Sequence, residues 1–227
     1  MNCPLLKITT WFGIWSPQLK NTSEPDMNES TDVRALRTWR EGHHVFFLFI
    51  QMTTIELRRF LKAEAIRDYA SANRHLELAS LLMLGSSAAM RVAGDVDQRT
   101  YSTTVVASMI QRNPKFSGSD SPDHHELVET FRVVKSVAEH LPNQIRPSYI
   151  RFLSSVRTAV DAHVFVCAFH RGEERSSTGS GNGTKLSGVE TLKRLGQYWF
   201  KLLTPMPPGN TQRCPFEGSQ ITTFKRL

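Results

Sequence analysis

The chain has 227 residues, of which 40% are hydrophobic, and its formal net charge is +7. This length is enough for one good-sized hydrophobic core, so we expect one domain with tails. Lys and Arg are scattered and no nucleic-acid motif is present, so a nucleic acid is not an expected partner. The longest apolar stretch (residues 45–50) is too short to span a bilayer, so a membrane is not an expected partner either.

The cysteines indicate a reducing compartment. Cys3, Cys167 and Cys214 are odd in number, which argues against a disulfide framework. The N-terminus has no basic start and no small-residue cleavage site, so it does not read as a signal peptide. Both features predict a cytoplasmic protein. The sequence does not determine whether the chain forms a homo-oligomer.

The chain divides into three parts by composition. Residues 1–32 are rich in polar residues and Pro without periodicity, which predicts a flexible N-terminal arm. Residues 33–204 carry apolar residues at steps of three and four, which predicts an all-α helical bundle. Residues 205–227 are punctuated by Pro and predict a tail. The expected helical stretches are 32–43, 44–65, 68–94, 101–110, 124–141, 146–172 and 189–203.

Each predicted helix has an expected apolar face. For the third stretch this face comprises Leu78, Leu82, Gly85, Ala89 and Val92. For the stretch beginning at His124 it comprises Val128, Phe131, Val134, Val137 and Leu141. His75 is expected at the surface or at a helix end.

The stretch from Arg146 to Gly172 carries the most chemistry. Its predicted apolar stripe comprises Ile150, Leu153, Val156, Val160, His163, Cys167 and His170. His163 and Cys167 are one helical turn apart on one face, so an imidazole and a thiol extend a core-facing stripe. Two interpretations follow: a buried helix with a satisfied core histidine and a small apolar cysteine, or a site that binds a metal or haem.

Two further features flank this helix. A turn-rich loop, residues 116–123, leads into His124 and His125 at the start of the preceding helix. Because the connection between the two helices is short, we expect them to pack antiparallel. After the central helix, residues 176–188 are rich in Gly and hydroxyl groups, which is typical either of a flexible loop or of a segment that folds over a charged ligand.

These residues together resemble the haem-dependent aromatic oxygenase superfamily of the tryptophan 2,3-dioxygenase type. The resemblance covers roughly residues 40–203. It is carried by the segment AHVFVC (162–167), by the loop GTKLSGVETL (183–192), by the early helix FFLFIQMTTIELRRFL (46–61) and by the segment from Ser117 to Glu126. Where the dioxygenases have a distal histidine, this chain has Gln51 or Met52. The order of His124 before His163-x-x-x-Cys167 is nearest to the branch of 3-methyl-L-tyrosine hydroxylases.

The resemblance implies a fold, a cofactor and roles for individual residues. It implies a helical bundle enclosing a haem, with His163 as the proximal iron ligand, Cys167 bonded covalently to the haem, and His124 or else His125 as the second axial ligand. It also implies hydroxylation of the ring of a tyrosine-like amino acid by hydrogen peroxide or dioxygen, in antibiotic or other secondary-metabolite biosynthesis. The residues expected to hold the amino-acid substrate are Thr178, Gly183, Thr184 and Ser187.

Two alternatives from other classes stay open at this point. The first is an enzyme that inserts dioxygen into tryptophan or another indole. The second is a non-catalytic helical protein, either regulatory or binding zinc through His163, Cys167 and His170, whose spacing could form part of a metal site.

Overall fold

The computed structural model describes residues 30–112, 121–171 and 188–204, and the regular elements in these ranges are helices. This confirms the predicted all-α helical bundle. The helices are α1 (Thr31–Ala65), α2 (Tyr69–Ala93), α3 (Gln98–Thr100), α4 (Val106–Arg112), α5 (Pro122–Ala138), α6 (Arg146–Arg171) and α7 (Gly188–Leu203), with a π-helical turn (Tyr101–Val105) between α3 and α4. The C-terminal tail and nearly all of the N-terminal arm lie outside the described residues.

Helix α1 is one continuous helix of 35 residues, where the sequence pattern suggested two successive stretches. Ser30 caps its first turn, because its side chain accepts a hydrogen bond from the Val33 backbone N–H at 3.4 Å. The helix ends at a tight turn in which Arg67 has a φ of 59°, and Asp68 then caps α2 by accepting from the Ser71 N–H at 3.1 Å. This short turn places α1 and α2 side by side in opposite directions.

The five long helices close into a ring. Helix α1 packs on α2, α2 on α6, α6 on α7, α7 on α5, and α5 returns to α1. The sequence predicted that the consecutive helices α5 and α6 pack directly against each other. In the ring they are not adjacent, and they meet only through large side chains such as Phe131 and Phe152, whose ring centroids are 6.1 Å apart. The Tyr149 hydroxyl donates to the Leu203 carbonyl and ties α6 to the end of α7.

The interior of the ring is filled by side chains from all five helices. The largest fully buried ones include Ile50, Leu57, Phe60, Leu76, Met83, Leu127, Phe131, Phe152 and Leu203. The predicted apolar faces of α2 and α6 were wrong in part, since Leu78, Val92 and Ile150 are 40%, 55% and 63% exposed. Each of these helices packs against two neighbours in the ring. The side chains that face these two neighbours are buried, and they differ in part from the most hydrophobic stripe of the helix.

His75, expected at the surface or at a helix end, lies in the second turn of α2 and is half-buried. Its Nδ1 donates to the Glu56 carboxylate at 2.7 Å, and this carboxylate also accepts from Arg59 at 2.6 Å. Glu56 is buried between α1 and α2, and a buried carboxylate requires such partners. The pair therefore joins the two helices.

Two helices are long and apolar enough to cross a membrane, judged by length and composition alone: Tyr69–Ala93 and Arg146–His170. The core helix of a soluble protein passes the same test. Both belong to the ring, where they pack against each other and against α1 and α7.

Replacing Gly42 by Ala should destabilise the protein. A Cβ atom on Gly42 would lie 2.6 Å from the Ala93 Cβ and 2.7 Å from the Ala93 backbone, which cannot move aside as a flexible side chain can. We expect the free energy of unfolding to fall by about 1–3 kcal/mol, as for other overpacked cores, although Ala favours the helix itself by about 1 kcal/mol. Urea denaturation measures the change.

The matched control for this variant is Gly85→Ala. A Cβ atom there would meet only the Phe49 ring, at 3.0 Å, and that ring can shift. Its loss of stability should therefore be clearly smaller. Equal stability of Gly42→Ala and the wild type would contradict the close approach of α1 and α2.

Candidate functional site

Two of the predicted site residues meet inside the ring of helices. His124 from α5 and His163 from α6 both face the ring of Phe46 on α1, with ring-centroid distances of 5.7 Å and 6.4 Å. His124 also contacts Phe47, at 5.6 Å, and Trp199 on α7, at 5.8 Å. Four helices therefore converge on one aromatic cluster that contains two imidazoles.

His163 is held in its neutral form. Burial lowers its pKa to about 3, and the nearby His124 and His43 lower it further because two positive imidazolium groups would repel each other. A neutral imidazole keeps a nitrogen lone pair, which is what a metal ligand or a hydrogen-bond acceptor needs. At neutral pH this residue can therefore act as a ligand or an acceptor.

A third histidine, which the sequence analysis did not single out, belongs to the same region. The Nδ1 of His43 donates to the Trp39 carbonyl at 2.8 Å, so its lone pair is on Nε2. Burial is the main cause that lowers its pKa to about 4, in spite of this hydrogen bond. The sequence could have pointed to His43, because it lies three residues before Phe46 on α1 and this spacing puts both residues on one helix face.

The first turn of α5 is positioned by contacts with α1. Pro122 begins the helix, where its missing N–H costs nothing. The Asp123 carboxylate accepts from Gln51 at 3.1 Å, and Glu126 pairs with Arg58. Partial burial raises the pKa of Asp123. These contacts orient the buried side chain of His124 towards Phe46, whereas His125 lies exposed on the other side of the helix.

Cys167 follows His163 by one turn of α6 and is partly buried. The predicted relation between the imidazole and the thiol on one helix is therefore retained. The expected substrate residues Thr178, Gly183, Thr184 and Ser187 lie outside the described residues. The site as described thus consists of the imidazoles, the thiol and the aromatic cluster around them.

A cleft opens beside His163. It is lined by Phe46, Ile50, Met83, Ser86, Ala159, Val160, His163, Gly196 and Trp199. Its enclosed volume is about 20 Å³, which is room for about one or two water molecules. Gly196 allows α7 to approach this closely, because a Cβ atom there would collide with Val160. The lining is apolar except for Ser86, His163 and Trp199.

The zinc-site alternative finds no support in the described ranges. No group of three His, Cys, Asp or Glu side chains within them is arranged to hold a metal ion. His170, one of the three ligands in that alternative, instead donates from Nε2 to the Gly94 carbonyl at 2.8 Å and stacks on Tyr101 at 3.9 Å. It therefore belongs to the packing between α6 and the π-helical turn.

Comparison with known proteins places these residues in a family context. A family model described as SfmD 3-methyl-L-tyrosine peroxygenase matches residues 9–148, which is more than half of the chain and includes His124. The chain is also similar to the 3-methyl-L-tyrosine peroxygenase of Streptomyces lavendulae, with 26% identity over 175 residues, 76% of this chain and 48% of that protein. The chain thus spans about half the length of this curated relative. No solved structure matches it significantly.

The neutral imidazoles predict a dependence of stability on pH. Between the ordinary histidine pKa of 6.5 and the lowered values of His163 and His43, the unfolded chain binds protons that the folded chain does not. The free energy of unfolding should therefore fall as the pH falls from 6.5 towards 4, by up to about 1.4 kcal/mol per pH unit for each residue.

Urea denaturation at pH 7 and pH 5 tests this expectation. His163→Gln and His43→Gln should each lose less stability than the wild type between these two pH values. The exposed His125→Gln is the matched control and should behave as the wild type. An unchanged pH dependence in both buried variants would show that these imidazoles are not held neutral by burial.

Proposed function

We propose that this chain, which belongs to the SfmD 3-methyl-L-tyrosine peroxygenase family, is an enzyme that oxygenates a tyrosine-like amino acid on its aromatic ring. The activity for which the relative from Streptomyces lavendulae is named supports this substrate class and a peroxide oxidant. The observation that carries the proposal is the pair of imidazoles, His124 and His163, that both contact the Phe46 ring inside the helical ring.

We further propose haem as the cofactor, and the donor chemistry of the site fits it. Neutral imidazole is a common axial ligand of haem iron, and the lowered pKa of His163 keeps that residue neutral. His163 would hold the iron, His124 would be the second axial ligand and Cys167 would bond to the edge of the porphyrin. His125 is the less suitable choice for the second ligand because its side chain is exposed.

The cleft beside His163 is small. Its enclosed volume of about 20 Å³ is far below that of a site for a porphyrin, and the Phe46 ring lies against both imidazoles. A planar group of that size would need more room than this cleft offers, and movement of the Phe46 ring would provide some of it. Phe46 is on the middle of α1, where a change of side-chain rotamer moves the ring without breaking the helix.

The chain's own residues bind, orient and exclude water, and haem, when bound, supplies the oxygen chemistry. Phe46, Phe47 and Trp199 surround His124 with aromatic rings, which keeps water away from that imidazole. His124 and His163 would hold the cofactor, and His124 would move aside to admit the oxidant. His124 lies in the first turn of α5, which the Asp123–Gln51 hydrogen bond ties to α1.

The substrate is proposed to be an aromatic amino acid held at its charged end by the hydroxyl-rich loop. Thr178 and Thr184, with Gly183 and Ser187, are the residues proposed for this contact. A hydroxyl group can accept from the ammonium group or donate to the carboxylate of an amino acid, and glycine lets the backbone come close to the ligand.

The haem ligands can be tested by absorption spectroscopy. Purified protein should show a Soret band typical of six-coordinate, low-spin haem and a positive pyridine haemochrome test. His163→Ala should lose stable haem incorporation, and His124→Ala should convert the spectrum to high-spin. His125→Ala is the matched control and should keep the wild-type spectrum. A protein without haem, or an unchanged spectrum in His124→Ala, would reject the two-histidine site.

The covalent link can be tested separately. The wild-type protein should retain haem through denaturing gel electrophoresis, and acid acetone should not extract it. Cys167→Ala should release its haem under both conditions, because the thiol that would form the thioether is absent. If the wild type itself releases haem, the link through Cys167 does not exist, whatever the axial ligands are.

A further inference from the structure

One side of α2 faces away from the ring and carries a row of exposed residues. Helix α2 packs on α1 and on α6, and this row lies on the side that these two neighbours leave uncovered. Its members recur at steps of four and three, which places them on one helix face: Glu77, Leu81, Leu84, Ala88 and Arg91. Leu81 and Leu84 are 64% and 43% exposed. The apolar middle of the row is thus flanked by an acidic and a basic residue.

Helices α2 and α6 run side by side in the same direction. Near their beginnings, Arg151 donates to the Glu77 carboxylate at 2.9 Å. Near their ends, His170 donates to the Gly94 carbonyl at 2.8 Å. The exposed sides of the two helices therefore form one continuous outer face, which we call the α2/α6 face.

Helix α6 adds apolar side chains at the two ends of the α2/α6 face and charges in its middle. Ile150 is 63% exposed at one end, and Phe165 is 60% exposed at the other, where the Arg91 guanidinium lies 5.8 Å from its ring centroid. Between them, Arg157 and Asp161 are 73% and 71% exposed. Charges in the middle of a face make its burial in lipid costly. A protein partner suits this face better than a membrane does.

The order of residues along α2 makes the row complementary to itself. Glu77 and Arg91 each lie seven residues from Leu84, on opposite sides of it. If a second copy is turned by 180° about an axis at Leu84, each carboxylate meets the guanidinium of the other copy. Leu81 then lies opposite Ala88 of the other copy, so a large side chain meets a small one. Charge and size therefore both match in this antiparallel arrangement.

The same rotation also matches the part of the face that belongs to α6. Ile150 lies close to the height of Glu77 on α2, and Phe165 lies at the height of Arg91. The rotation therefore brings Ile150 of one copy towards Phe165 of the other. Because each helix is about 37 Å long and about 10 Å wide, the face covers roughly 700 Å², close to the roughly 800 Å² that each partner buries in a stable interface.

We infer that the α2/α6 face binds the same face of a second copy of this chain, around a two-fold axis at Leu84. The Glu77–Arg91 pairs fix the antiparallel register, and the leucines form the apolar centre. The contact involves neither the proposed cofactor nor the substrate, so it stands or falls independently of the proposed function. It would brace α6 at Phe165, which lies between His163 and Cys167 in the sequence.

The state of association of the full chain tests this contact. Light scattering after size-exclusion chromatography should give twice the 25.7 kDa of a single chain. Glu77→Arg and Arg91→Glu each bring like charges together at two places in the dimer, so each should raise the Kd of the dimer about tenfold or more. Glu129→Arg, a matched reversal at an exposed position of α5, should keep the wild-type Kd. A monomeric wild type, or a wild-type Kd in both interface variants, would overturn the inference.

A mixture of the two charge variants tests the two-fold register. In the mixed dimer, one chain supplies both positive charges and the other supplies both negative charges, so both ion pairs are restored. The mixture should therefore associate with a Kd within about threefold of the wild type. The two positions are about 21 Å apart along one helix, so they cannot compensate within a chain. Failure of the mixture to associate, with each variant folded by circular dichroism, would overturn the proposed arrangement.

The apolar centre and the membrane alternative are tested on the same protein. Leu84→Glu brings two carboxylates together at the axis and should give a monomer with the wild-type circular dichroism spectrum. A dimer of unchanged Kd in this variant would contradict an axis at Leu84. The wild type should stay in solution when phosphatidylcholine vesicles are sedimented. A monomer that sediments with these vesicles would overturn the inference and assign the face to a membrane.

Discussion

Burial of apolar side chains on the inner face of the five-helix ring is the constraint on which the site depends. Large side chains such as Phe60, Phe131 and Phe152 are completely inaccessible to solvent, and burial of each stabilises the fold by roughly 1.5–3 kcal/mol. The same exclusion of water makes a charged imidazole unfavourable beside them. One physical effect therefore both closes the ring and keeps His163 neutral.

Close approach between helices gives this interior its shape. Gly42 lets α1 approach the backbone of α2 at Ala93, and Gly196 lets α7 approach Val160 on α6. Where the helices come this near, little empty space is left, so the enclosed cleft is small.

The family match and the tertiary structure contribute different parts of the site. The matched region, residues 9–148, contains Phe46 and His124 but ends before His163, Cys167 and Trp199. His163 and Trp199 reach His124 only because α6 and α7 complete the ring between α2 and α5. The proposed ligand set thus depends on the closure of the ring, because His124 lies on α5 whereas His163 and Cys167 lie on α6.

The sequence by itself determined the helical class, because apolar residues recur at steps of three and four through most of the chain. It also named His124, His163 and Cys167 as candidates, because their residue types and order carry the resemblance, and the structure brings the two histidines to Phe46. Only the tertiary structure decided that Phe46 contacts both imidazoles, that His43 and Trp199 join the site and that Ile150 faces solvent. A helix of moderate amphipathicity can bury several alternative faces, and the neighbours on both sides in the ring select one of them.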